Sequence, residues 1–144
     1  MLIKSLEDLP ETDEAHLRAA ARILAMSASY VRLHELMKEE RSSVRYEIES
    51  FVYSHIEDEK LSAKFVGASL GLSRTSLYKI CKSSFGIGMS EYIHKIRVSH
   101  AQNLLKSTNL QLTEIAERVG MSQASLYRLL KAETGKTAKE IRKG

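Results

Sequence analysis

An all-α fold is predicted for this chain, and three observations predict it. Leu, Ala, Lys and Glu are abundant, while only seven Gly and one Pro interrupt the 144 residues, a composition that favours helices over loop-rich or disordered structure. Apolar residues recur at helical spacing in several segments. Third, "LGLSRTSLYKICKSSFG" at 70–86 and "VGMSQASLYRLLKAETG" at 119–135 align without a gap. They share Gly71/Gly120, Ser73/Ser122, Ser76/Ser125, Leu77/Leu126, Tyr78/Tyr127, Lys82/Lys131 and Gly86/Gly135.

Taken in order, residues 13–40 read as a long helix, introduced by "LPETDE", where Pro10, Thr12 and the acidic residues suit a helix N-terminus. A second helix is expected after Ser42-Ser43, with Val44, Ile48, Phe51, Val52 and Ile56 on one face. Ser62 opens a short helix to about Leu70, closed by Gly71. Ser73 caps the next, which ends at Gly86. A longer helix spans about Met89 to Ser107, with Tyr92, Ile93, Ile96, His100, Ala101, Leu104 and Leu105 as its apolar stripe. The earlier unit then returns: "LTEIAERV", Gly120, Ser122 as cap, a helix to Thr134, and Gly135. "TAKE" at 137–140 is a capping box joining Thr137 to Glu140 and opening the last helix.

The repeated unit is a helix–turn–helix: a short helix ends at Gly, three residues turn, and a second helix starts on a capped Ser. Helical geometry separates two faces of that second helix. Leu77, Ile80, Cys81 and Phe85 point inward in the first copy, as do Leu126, Leu129 and Leu130 in the second. The polar faces carry the candidate DNA-binding residues. In the first copy these are Arg74, Thr75, Tyr78, Lys79 and Lys82; in the second, Gln123, Ala124, Ser125, Tyr127, Arg128 and Lys131. They begin at the helix N-terminus, the end a recognition helix pushes into the major groove. Thr and Gln can hydrogen-bond base edges, Arg can grip guanine with two bonds, and Tyr offers a ring or a phosphate-directed hydroxyl. Two such helices would read two segments of one duplex.

Charge agrees with a polyanionic partner. Residues 60–144 hold fifteen Lys and Arg against five Glu, whereas residues 1–59 hold seven basic and thirteen acidic residues. Other classes are disfavoured. No apolar stretch reaches the ~18 residues needed to span a bilayer, and the start "MLIKSLEDLPETDE" turns acidic where a signal peptide needs its apolar run. An intracellular protein is expected. The single Cys81 forbids an internal disulfide and a cysteine-based zinc cluster, and its apolar neighbours make it a small buried hydrophobe. "GIG" at 86–88 follows no strand and is not a phosphate loop. The five histidines lack ligand spacing, with His94 and His100 on different helix faces, and no nucleophile–base pair is visible. No enzyme, cofactor or metal is expected.

Residues 45–144 resemble the DNA-binding domain of the AraC/XylS family of bacterial transcription regulators. "YIHKIRVSHAQNLLKST" at 92–108 is similar to that family's linker helix, and "LTEIAERVGMS" with "SLYRLLKAETGKTAKEIR" to its second subdomain. Met121, Leu126 and Leu130 stand where the family usually has Phe, and Ala138 where it has Pro. The resemblance implies two helix–turn–helix subdomains, at about 61–86 and 111–135, joined by a linker helix at about 89–107. It also implies a bacterial cytoplasmic regulator of promoter DNA, and permits contact with RNA polymerase in an activator. The rival reading is a helical protein-interaction module that has lost base reading; Arg74, Thr75, Gln123 and Arg128 count against it. On the linker helix, Arg97 is read as an internal or mixed contact in preference to a purely DNA-facing one.

Residues 1–42 form a separate extension ahead of the domain at 43–144. Leu17, Ala21, Leu24, Ala28 and Val31 make one stripe and Ile23, Tyr30 and Met37 another, with Met26 and Leu33 between. A helix apolar on so many sides requires cover. The stretch resembles the closing helix of a sensor module such as precedes many domains of this family. Leu17, Leu24 and Val31 stand at heptad spacing, so a homodimer through residues 15–40 is expected.

Overall fold

The Ser42-Ser43 pair does not interrupt the first helix. In the computed structural model, which describes residues 11–144, α1 runs without a break over Glu11–Ser54. Two helices are expected here from the sequence, so the unbroken helix is a correction. Neither serine imposes a non-helical backbone, and both are exposed, so their propensity cost of about 0.5 kcal/mol each leaves the helix intact. Pro10 and the Thr12 side chain, expected to introduce it, lie outside the described residues. Six further helices follow: α2 over Ala63–Leu70, α3 over Arg74–Phe85, α4 over Met89–Ser107, α5 over Leu112–Arg118, α6 over Gln123–Thr134 and α7 over Ala138–Lys143. No strand occurs among the described residues. The all-α double helix–turn–helix architecture is the one expected.

The chain divides into two compact units meeting at Ser42 and Ser43. In the first, Leu17, Ile23, Leu24, Met26, Tyr30, Val31, Leu33, Leu36 and Met37 are all between 46% and 72% exposed. Arg18 and Glu14 pair at 2.7 Å across one helical turn, a surface contact of little energetic weight.

The second unit contains two hydrophobic cores. Ile48 and Val52 at the end of α1, Ile56 in the turn beyond it, Leu61, Val66 on α2, Leu77 and Cys81 on α3, and Met89, Tyr92 and Ile93 on α4 form the first. Val98, Ala101 and Leu105 further along α4, with Ile115, Ala116, Val119, Leu126, Leu130 and Ile141, form the second. The linker helix α4 therefore serves both. Its buried stripe differs from the expected one: Ile96, His100 and Leu104 are half-buried, while Arg97 and Val98 are buried. Leu126 and Leu130 are fully enclosed, each worth roughly 2 kcal/mol of burial, and half-buried Met121 and Ala138 pack against their core. The apolar replacements thus fill the second subdomain. Gly67, buried on α2, lies close enough to the turn that a Cβ would sit 3.0 Å from the Leu72 carbonyl oxygen.

Local signals explain the helix ends. At α7 the Thr137 hydroxyl accepts from the Glu140 N–H at 3.3 Å, and the Glu140 carboxylate accepts from the Thr137 N–H at 3.1 Å. This box starts the helix without a proline at position 138. Arg142 donates to the Leu110 carbonyl, tying α7 to the loop before α5. A second capping box, between Gln111 and Glu114 on α5, was not foreseen, because Gln is outside the usual N-cap set.

Candidate nucleic-acid interface

Both recognition helices are built from the same parts. The Ser73 hydroxyl accepts from the Ser76 N–H at 3.1 Å and donates to the Ser76 hydroxyl at 2.9 Å. Ser122 treats Ser125 identically, at 3.2 and 2.9 Å. Each cap satisfies an N–H that the first helical turn leaves without a partner. The turns ahead of them match as well: Gly71 and Gly120 hold φ of 66° and 64°. Leu72 and Met121 donate their N–H groups to the carbonyls of Gly67 and Ala116 at 2.8 and 2.9 Å. The repeated letters are thus a repeated geometry.

Helix pitch then decides what faces solvent. Leu77 and Cys81 are buried on α3 and Ile80 and Phe85 half-buried; on α6, Leu126 and Leu130 are buried and Leu129 half-buried. Arg74, Thr75, Tyr78, Lys79 and Lys82 are all exposed, as are Gln123, Ala124, Tyr127, Arg128 and Lys131. Tyr78 is 58% and Tyr127 47% exposed, although each is a large ring that an intramolecular role would cover. The Lys82 ammonium lies 5.8 Å from the centre of the Tyr78 ring, a cation–π contact that orders both side chains. Lys82 and Lys131 occupy the last turns of their helices. Ser125 differs from the rest: it is half-buried, and its hydroxyl is engaged by Ser122.

One contributor is absent from the sequence reading. Leu112, at the start of α5, joins Gln123, Ala124, Tyr127 and Arg128 around a shallow depression of about 390 Å³. Its counterpart in the first copy is the smaller Ala63, so the exposed face of α6 has a bulkier neighbour than that of α3. Other singled-out residues lie inside. Cys81 is buried, which pushes its thiol pKa up. Arg97 donates from Nη2 to the Asp58 carbonyl at 2.8 Å, an internal contact. Burial, followed by the charge of Glu49, pushes the Tyr92 hydroxyl up to about 12, and the ring stacks on Phe85 with centroids 4.2 Å apart.

Comparison with known proteins agrees with this geometry. The profile of a family described as "Helix-turn-helix domain" matches residues 66–144. The Msm operon regulatory protein of Streptococcus mutans is 30% identical over 118 residues, covering 67% of this chain and 42% of that protein. The HTH-type transcriptional activator RhaS of Enterobacter sp. is 24% identical over 147 residues, covering 99% of this chain and 52% of that protein. Among solved structures, the C-terminal domain of the two-component response regulator yesN from Fusobacterium nucleatum superimposes with a TM-score of 0.66. It is 27% identical and covers 69% of this chain and 98% of that domain. The chain spans about half or less of the length of the curated relatives it matches. With the family profile covering more than half of its residues and both helix–turn–helix units in place, this chain belongs to the AraC/XylS family of transcription regulators.

Proposed function

We propose that the chain regulates transcription by binding promoter DNA sequence-specifically, with α3 and α6 entering successive major-groove segments. The observation that carries this reading is the duplicated solvent-exposed face: capped helix start, polar residues in the first turn, Tyr one turn on, and Lys in the last turn. Arg74, Thr75, Gln123 and Arg128 are the base-reading candidates; Lys79, Lys82 and Lys131 grip phosphates; Tyr78, Ala124 and Tyr127 supply apolar or hydroxyl contacts beside them. Ser125 acts through its cap. A protein-interaction module would have no need of exposed Arg, Gln and Thr at these helix starts.

An activating role is supported by the names of RhaS and of the lactose operon transcription activator of Staphylococcus xylosus, and contact with RNA polymerase is the form it would take. The setting is the bacterial cytoplasm. Residues 1–42 serve as the end of a sensor module or as a dimerisation helix, and residues 43–144 as the DNA-binding domain. The exposed apolar stripes of α1 favour a homodimer through residues 15–40.

Hydroxyl-radical footprinting on a selected duplex tests the core of the proposal. Two protected patches on one face, about one helical turn or ~34 Å apart, are expected. A single short patch, or patches on opposite faces, defeats it.

A further inference from the structure

Between the two buried stretches of α4 sits Arg97, the one buried charged residue among the described residues, 6% exposed. Ile93 belongs to the first core and Val98 to the second, so the guanidinium marks the seam between subdomains. Burial lowers its pKa, while the charges of Asp58 and Glu59 act in the opposite direction. Its Nη2 donates to the Asp58 carbonyl at 2.8 Å, and its Nε has no hydrogen-bond partner among the described residues. A buried cation so sparsely satisfied is a poor source of stability, because desolvation opposes what one neutral carbonyl returns. Position is what it can supply.

The acceptor is held firmly. The Asp58 N–H donates to the His55 carbonyl at 3.0 Å, and the Asp58 carbonyl also accepts from the Leu61 N–H at 3.1 Å. Its carboxylate accepts from the Lys60 N–H at 2.9 Å. On the other side stands Gly120, in the turn of the second helix–turn–helix. A Cβ there would lie 2.8 Å from the Ile56 carbonyl oxygen, 2.9 Å from Arg97 Nη2 and 3.0 Å from the Asp58 carbonyl carbon. Gly71, its counterpart in the first copy, shares the positive φ but would have nothing within 4 Å. The left-handed backbone accounts for a glycine in both turns. At Gly120 the second turn is pressed against the other subdomain; at Gly71 the first turn is open.

We infer that the Asp58–Arg97–Gly120 contact is a positioning junction that fixes α6 relative to α3, and so sets the separation of DNA boxes the protein accepts. The inference rests on the two-reader mode proposed above. Side chains on α3 and α6 test the bases in each box; this contact tests the distance between boxes. One inserted base pair shifts the second box by ~3.4 Å and rotates it by roughly 35°, a displacement that a fixed α6 cannot follow.

The test uses the full chain and a duplex selected by it from a random pool. That duplex is then rebuilt with one or two base pairs inserted or deleted between boxes, and with each box alone. Wild type should bind the selected spacing about tenfold tighter than the shifted ones, the scale of a mismatched base pair. Gly120→Ala and Arg97→Met should keep single-box affinity within about twofold, lose about tenfold on the selected spacing, and show a flattened preference among spacings. Arg97→Lys, which retains a donor for the Asp58 carbonyl, should restore part of that preference. A wild-type spacing profile in both Gly120→Ala and Arg97→Met overturns the inference. Equal loss on single boxes and full sites makes the junction merely structural, which also overturns it. A wild type indifferent to spacing defeats the two-reader mode itself and the inference with it.

Discussion

Arg128 offers the cleanest separation of reading from folding. It is exposed on α6 and makes no hydrogen bond or ion pair among the described residues. Arg128→Ala therefore removes no intramolecular hydrogen bond or ion pair, and Ala is at least as good a helix former, so stability should stay within about 0.5 kcal/mol. Loss of a bidentate guanine contact costs about 1–3 kcal/mol, roughly 5- to 150-fold in affinity, and only where that guanine is present. Lys131, one helical turn below, is the control. As a phosphate contact, its replacement by Ala should weaken every duplex alike and reduce the slope of log K against log salt by about 0.9. Fluorescence anisotropy competition against single-base variants of a selected duplex, repeated at several salt concentrations, reads both effects. Equal loss on every duplex for Arg128→Ala, with a reduced salt slope, would refute base reading by this residue. A marked fall in melting temperature would refute the claim that its role lies outside the fold.

Other expectations follow from burial and titration. Leu126→Ala should cost about 3 kcal/mol in denaturant unfolding, since the side chain is fully enclosed in the second core. Leu77→Ala strikes the first core, and the two changes should add within about 0.5 kcal/mol; a larger coupling would show that the cores are not separate. With Tyr92 raised to about 12, its contribution is fully present below the unfolded value near 10 and is lost as pH rises through that window. Tyr92→Phe should remove this component of alkaline unfolding, and an unchanged alkaline midpoint would count against the burial argument. Deletion of residues 1–40 should convert a weak dimer to a monomer by light scattering while single-site binding persists; an intact chain that is monomeric at high concentration would overturn the dimer.

The helix–turn–helix units are legible in sequence because their punctuation is local. Ser62, Ser73, Ser122 and Thr137 all cap helices as read, and Gly71, Gly86 and Gly135 all close them. The exposed faces of α3 and α6 follow from helical pitch alone. What stays hidden is non-local or neutral. Ser42-Ser43 looks like a boundary, yet serine tolerates a helix when nothing competes for its backbone. Arg97 falls four residues after Ile93, on the inward stripe, but its hydrogen-bonding partner is a main-chain carbonyl 39 positions away, and side-chain lettering says nothing of such an acceptor. The relief supplied by Leu112 depends on how α5 meets α6, which periodicity within either helix does not encode.

The separation of the two cores bears on how such a reader can change over generations. Among the described residues no buried side chain is common to both clusters, so a repacking mutation beneath one recognition helix should act first on its own subdomain. Under the proposed two-box mode, a lineage could then drift toward a new operator one box at a time, passing through intermediates that still hold DNA by the unaltered half. In that mode, the repeated unit that would lengthen the recognised sequence would also smooth the path along which specificity evolves.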